Sequence, residues 1–249
     1  MKLTTEQMEQ YARQGFLAPL RVADPEQAAS HRALFDALEE REGRERARVG
    51  LLDRHFDQPF IRELATHPAI LDAVEPLIGP DVVLLATHFF CKYGRDDKWV
   101  AWHQDVTYWG LEPPEAVTAW YAIDDADREN GCMRVIPGTH RGGIRVHRAA
   151  AGSGNLLSVN QETPVSPEEE ARAVCVELLA GQVSLHDGLL VHGSLPNRSD
   201  RRRCGLTLRY VPARVRQVSS NSHGRRYRGL VVRGADPLGH WSPRAAEAG

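Results

Sequence analysis

From Asp81 to Pro212 the chain is a succession of short β-branched or aromatic runs: "VVLLATHFFCKY", "AVTAWYAI", "CMRVI", "AVCVELL", "QVSLHD" and "RCGLTLRYVP". Turn residues separate them, and no helical pattern intervenes. Many short strands without helices between them argue for a sandwich or barrel rather than a parallel α/β sheet. Before Asp81 the pattern is helical. Thr4 and Gln7 have the spacing of a capping box, and Gly15 supplies a stop. Asp24 followed by Pro25 reads as the N-cap and first turn of a second helix, with an apolar stripe of Ala29, Ala33, Leu34 and Leu38 that ends before Gly43. Two more short helices are expected near 59–66 and 69–78. The stretch 141–170 holds "GG", "AGSGN" and two prolines, and reads as a long loop of the kind that forms lids.

With 42% hydrophobic residues in 249, the chain can bury a substantial core as one domain, helical over about 1–80 and β over about 81–215. A net charge of −2 gives no global pull toward nucleic acid or membrane, and runs such as "VVLLA" are too short to span a bilayer. The start "MKLTTEQMEQ" has no apolar signal-peptide region, and Cys91, Cys132, Cys175 and Cys204 are scattered. They read as small buried apolar residues of a cytoplasmic protein. Between Arg201 and Arg233 there are ten arginines and no Asp or Glu. That block reads first as a solvated basic face, second as an attraction for an anionic small-molecule substrate. Lacking interleaved aromatics beyond Tyr210 and Tyr227, it is not a nucleic-acid surface. Nothing in the sequence speaks to oligomeric state.

In "AWHQDVTYWG", residues 101–110, a histidine and an aspartate stand one residue apart among apolar neighbours. If they share a strand, His103 and Asp105 project from one face and Trp102 and Gln104 from the other. An imidazole and a carboxylate so placed offer two adjacent ligands to a divalent metal. A second histidine from elsewhere would complete a facial set of two His and one carboxylate, leaving positions open. The spacing alone is weak: His55-Phe56-Asp57 repeats it in a loop-like stretch, where it reads as a surface or local hydrogen-bonded pair. His186 and His192 both compete for the third position, and strand parity cannot separate them. His31, His67, His223 and His240 read as surface or satisfied residues, while His88 and Lys92 could face either core or pocket.

The pieces "WHQD" with "YW", "TAWYAIDDADRENGCMRVIPGTHRG", and "HGS" with an arginine eleven residues after its histidine resemble the phytanoyl-CoA dioxygenase family of Fe(II)- and 2-oxoglutarate-dependent oxygenases. The resemblance runs from about Phe16 to Trp241. It implies a mainly β fold: a double-stranded β-helix, a cupin-like jelly-roll barrel with N-terminal α-helices packed against it. Position by position it implies His103, Asp105 and His192 as iron ligands, the last favoured over His186 by its "HGS" context. Arg203 becomes the anchor for the far carboxylate of 2-oxoglutarate, with Ser194 assisting and Trp120 lining that pocket. Gln104 and Trp109 are candidates for touching substrate, and Arg201 and Arg202 are expected to be solvated turn residues.

The activity the resemblance implies is hydroxylation of an unactivated C–H bond of a small metabolite by O2, with 2-oxoglutarate giving succinate and CO2. The presence of Asp105 speaks against halogenation, which in related enzymes goes with alanine or glycine there. Desaturation, cyclisation and epimerisation use the same triad. A non-catalytic metal-binding cupin is the rival class.

Overall fold

The computed structural model describes residues 2–152 and 154–241; Met1, Ser153 and residues 242–249 lie outside them. The helices are α1 (Thr5–Gln14), α2 (Pro25–Glu42), α3 (Arg44–Val49), α4 (Pro59–Ala65), α5 (Pro68–Ile78) and α6 (Pro167–Ala171). The strands are β1 (Phe16–Arg21), β2 (Val82–Lys92), β3 (Val100–His103), β4 (Leu111–Glu112), β5 (Val117–Ala122), β6 (Met133–Val135) and β7 (Arg148–Ala149). After them come β8 (Gln161–Glu162), β9 (Val174–Val176), β10 (Gln182–Asp187), β11 (His192–Ser194), β12 (Arg203–Pro212), β13 (Arg216–Gln217) and β14 (Leu230–Arg233).

A six-stranded sheet in the order β1-β10-β5-β12-β2-β14 and a four-stranded sheet in the order β3-β11-β6-β9 are both antiparallel throughout. Residues of both sheets line one cavity between them, which is the arrangement of a jelly-roll barrel. The larger sheet is buried on both faces. On β12, Leu206, Leu208 and Tyr210 join Phe89 and Tyr121 in the core that receives Phe35, Leu38, Ile61, Ile70 and Val74 from the helices. The alternate residues Arg203, Gly205, Thr207 and Arg209 therefore face the barrel interior. β12 therefore alternates apolar residues toward the helix-side core with polar or small ones toward the cavity. Phe35 is fully buried and packs 4.8 Å from Phe89 between ring centroids; truncating such a residue typically costs about 3–5 kcal/mol.

The helix signals translate directly. Thr4 and Gln7 form a reciprocal capping box, Gly15 closes α1 at φ 82°, and Asp24 caps α2 through Gln27. The expected stripe on α2 is wrong in phase: Ala29, Ala33 and Leu34 are exposed, and the buried residues are Ala28, Phe35 and Leu38. Phe35 outweighs two alanines, so the helix rotates to bury it. β1, β11 and β14 lack a distinct sequence signal. The stretch 141–170 is more ordered than a loop, since it holds the β7–β8 ribbon and α6 with its own capping box at Ser166. His55 is buried, with Nδ1 3.0 Å from the Thr87 hydroxyl, while Asp57 is exposed and paired with Arg54. The second His-x-Asp is thus neither a surface pair nor a mutual one.

Candidate metal centre and adjoining chamber

β3 ends at His103, and His192 begins β11 directly opposite it in the antiparallel register. Asp105 does not share their strand; it opens a 3-10 turn over Asp105–Tyr108. That turn, rather than strand parity, brings the carboxylate back to the imidazoles. Asp105 Oδ1 lies 3.6 Å from His103 Nε2 and 4.0 Å from His192 Nε2. All three ligand atoms fall within 4.8 Å of one another, and all three residues are buried. An octahedral metal with bonds of about 2.1 Å sets adjacent ligands about 3 Å apart, so small side-chain adjustments admit an ion.

The second contacts of these groups prepare them for that role. His103 Nδ1 lies 2.9 Å from the Ala101 carbonyl and His192 Nδ1 2.9 Å from the Leu190 carbonyl. Each carbonyl can only accept, so Nδ1 carries the proton and the Nε2 lone pair points at the cluster. Burial, followed by the neighbouring His103 and His186, pushes the His192 pKa well below the usual imidazole range, so it is held neutral. Burial alone would raise the Asp105 pKa, but His103, His186 and His192 hold it well below the usual carboxylate range. Thr118 Oγ1 donates to Asp105 Oδ2 at 2.8 Å, leaving Oδ1 for a cation.

His186 stands on the other side of this carboxylate. Its Nε2 is 3.5 Å from Oδ2, and neither ring nitrogen has a hydrogen bond. It lacks the carbonyl lock that both other histidines possess. Among the described residues the set gathered at one point is His103, Asp105 and His192.

Deeper in the barrel, Arg203 is 2% exposed and its guanidinium makes one bond, from Nη1 to the Phe90 carbonyl at 3.3 Å. Nε has no partner, and no carboxylate pairs with it among the described residues. Its Cζ lies 5.6 Å from the centre of the Trp120 ring, and Ser194 lines the same pocket. Lys92, which the sequence left ambiguous, is fully buried behind Ser194 and donates to Ser194 Oγ and to the Leu195 carbonyl. With its oxygen thus occupied, the Ser194 hydroxyl is free to donate its proton into the pocket. The signal was the alternation His88, Phe90, Lys92 on the inward face of β2.

Two expectations need correction. Gln104 does not line the cavity; its amide nitrogen donates to the carbonyls of Gly143 and Leu189, and its oxygen accepts from the Arg145 amide. It braces the segment after β6 against the metal-side turn. Arg202 is no solvated turn residue, because Asp36, Glu39 and Asp124 all bind it and tie α2 to the start of β12. Arg201, by contrast, is exposed, with Asp127 and Glu129 as partners.

From the metal cluster a chamber of about 410 Å³ opens outward. Trp109 does line it, although it follows the 3-10 turn and is not on a strand. Residues 157–159 form one wall and residues 221–227 another, joined where Ser158 Oγ meets His223 Nε2 at 2.8 Å. His223 therefore has a place in the site that its sequence context did not signal. His88 lines the chamber too, with Nε2 2.6 Å from the Val49 carbonyl.

The family model described as phytanoyl-CoA dioxygenase matches residues 11–205. A human protein named phytanoyl-CoA dioxygenase, peroxisomal, is 30% identical over 152 residues, which are 59% of this chain and 45% of that protein. An L-proline trans-4-hydroxylase of Streptomyces griseoviridis is 30% identical over 218 residues, 81% of this chain and 78% of the other. The chain spans about half the length of the phytanoyl-CoA dioxygenases of nematode, cattle and human that it matches. A solved structure titled as a non-heme monooxygenase, ThoJ in its apo form, superposes with a TM-score of 0.76 at 31% identity, covering 92% of this chain and 84% of that one.

Proposed function

The chain belongs to the phytanoyl-CoA dioxygenase family, and we propose that it is an Fe(II)- and 2-oxoglutarate-dependent oxygenase that hydroxylates a C–H bond of a small molecule. One observation carries the reading: an open cluster of two imidazoles and one carboxylate shares a cavity with a buried arginine that has no counter-ion. His103, Asp105 and His192 would hold the ferrous ion, whose chemistry when bound is the activation of O2 with electrons drawn from 2-oxoglutarate.

The chain's own groups supply everything else. Arg203 meets the far carboxylate of 2-oxoglutarate through its planar fork, and Ser194 donates one further bond. Trp120 walls that pocket and keeps it dry. The named relatives, a proline hydroxylase and a non-heme monooxygenase, support insertion of oxygen as the outcome. Asp105 fills the place that a halide would need, which speaks for hydroxylation over halogenation. At about 410 Å³ the chamber suits a small metabolite, in the lower part of the usual range of about 300–1,000 Å³. The walls at 157–159 and 221–227 exclude water while the target carbon is held over the metal. The test is a screen of small metabolites with Fe(II), O2 and 2-oxoglutarate, following succinate release and product mass. A hit must raise succinate and gain one oxygen atom; succinate formation that no compound stimulates would contradict the reading.

A further inference from the structure

We infer that Arg209 is a second carboxylate anchor, belonging to the substrate, so that the molecule oxidised is a small carboxylic acid held by its carboxylate in the outer chamber. This rests on the reading of the site given above and adds the substrate class to it.

Strand period places Arg203, Gly205, Thr207 and Arg209 on the inward face of β12. In register, Arg209 stands between Ala86 of β2 and Thr118 of β5, and neither can neutralise it. The Thr118 hydroxyl is already committed to Asp105. Arg209 Nε is buried with no hydrogen-bond partner, and no ion pair to Arg209 occurs among the described residues. Its Cζ sits 5.1 Å from the centre of the Trp109 ring, which supports the guanidinium plane without discharging it. Other arginines of the same block do find carboxylates: Arg202 has three, Arg214 has Glu115, Arg216 has Glu112, and Arg233 has Asp72 and Glu75. Arg225, Arg226 and Arg228 are exposed, the first two at the rim of the same chamber. Two inward guanidiniums therefore remain without an ion pair among the described residues, Arg203 and Arg209, the second within electrostatic reach of Asp53 and Asp105 but bonded to neither. A buried charge without a partner is costly, as it is for Arg203; Arg209 is half-buried with its Nε shut off from solvent and unbonded, which leaves it for an anion that arrives with a ligand. Arg203 serves the co-substrate; Arg209 lines the chamber into which the substrate must come.

The chamber also selects among anions. Asp53 lines it as well, with Oδ1 accepting from the Thr87 amide, and Asp105 lies at its floor. With these two carboxylates beside Arg209, surplus negative charge is disfavoured, more for a doubly charged phosphate than for a singly charged carboxylate. A single carboxylate satisfies one guanidinium bidentately and brings no surplus charge. An acyl thioester is neutral at its acyl end and offers Arg209 nothing.

The experiment is isothermal titration calorimetry under nitrogen on protein loaded with Fe(II). 2-Oxoglutarate is titrated first, and then a panel of small aliphatic, aromatic and amino carboxylic acids, each beside its methyl ester and a matched phosphate ester. The expected result is binding of acids but of neither kind of ester. In R209Q the acid should bind at least about thirtyfold more weakly while 2-oxoglutarate binds as before, and R203Q should show the reverse. R209K, which keeps the charge and loses the fork, should fall between. Retained 2-oxoglutarate binding reports that each Arg209 variant is folded. No binding of any acid, equal binding of methyl esters, preference for phosphate esters, or an unchanged acid affinity in R209Q would overturn the inference. Failure of the wild type to bind 2-oxoglutarate would instead overturn the functional reading beneath it.

Discussion

Arg201, Arg202 and Arg203 are consecutive, identical in type, and carry three different duties. Arg201 lies on the surface with Asp127 and Glu129, Arg202 is locked by a carboxylate network, and Arg203 is buried without a counter-ion. Replacing Arg203 by alanine should weaken 2-oxoglutarate binding by at least about thirtyfold, because the dianion would enter the pocket with one charge unmet. Arg201→Ala removes an exposed pair worth about 1 kcal/mol or less and should leave that affinity unchanged. Calorimetric titration of 2-oxoglutarate into the two variants separates them; equal losses would remove Arg203 from its role. The eleven-residue spacing from His192 singled out Arg203 through a family resemblance alone. What Arg202 does was not legible, since its partners Asp36 and Glu39 come from a helix more than a hundred residues away. Asp105 meets His103 and His192 through a 3-10 turn and not through the shared strand that the spacing suggests, because β3 stops at His103. Parity describes strand interiors, whereas functional residues sit at strand ends where turns take over.

Among the elements, β12 carries the most. Its outward residues close the helix-side core and its inward residues furnish both unpaired guanidiniums, so a defect at one position is felt on both sides. Gly205 is the sensitive point. A Cβ there would stand 1.9 Å from Trp120 Cζ2, so the indole could not remain beside Arg203. Gly205→Ala should cost about 1–3 kcal/mol of stability by overpacking and weaken 2-oxoglutarate binding in the same variant. Urea unfolding and calorimetry would check both, and a variant with native values for each would show that the Trp120 position is dispensable. The boundaries of β12 were fully legible because ten residues of apolar and β-branched pattern lie between two turns. β11 was not, as three residues reading "HGS" carry no period. The C-terminal wall of the chamber was equally hidden, since residues 221–227 are polar and arginine-rich and are held by long-range bonds such as Ser222 N to the Tyr108 carbonyl and His223 to Ser158.

At the scale of the whole molecule, helices and barrel meet over a boundary that buries two histidines on either side of Thr87. Burial lowers the His55 pKa to about 4 and the His88 pKa to about 3, from an ordinary 6.5. Protons therefore favour the unfolded chain. The stability these residues contribute is complete above pH 6.5 and is lost as pH falls from there toward the folded values. Each histidine should make the protein about 2 kcal/mol less stable at about pH 5 than at about pH 7. Urea titrations at the two values would read this, and His55→Gln should flatten part of the difference; an acid response identical in that variant would contradict the assignment. Among the described residues no helix is long and apolar enough to cross a membrane. Fold class was legible because helical and extended periods occupy separate parts of the chain, while the chamber arises from loops whose course only the folded molecule sets. The claim on which the site depends is that His103, Asp105 and His192 together hold one divalent ion with positions to spare. Anomalous diffraction from crystals soaked under nitrogen with Fe(II) and 2-oxoglutarate tests it most directly. The predicted result is one iron peak about 2.2 Å from His103 Nε2, Asp105 Oδ1 and His192 Nε2, with the far carboxylate of 2-oxoglutarate on Arg203. Iron bound through His186 in place of His192, or no iron at this cluster, would contradict it.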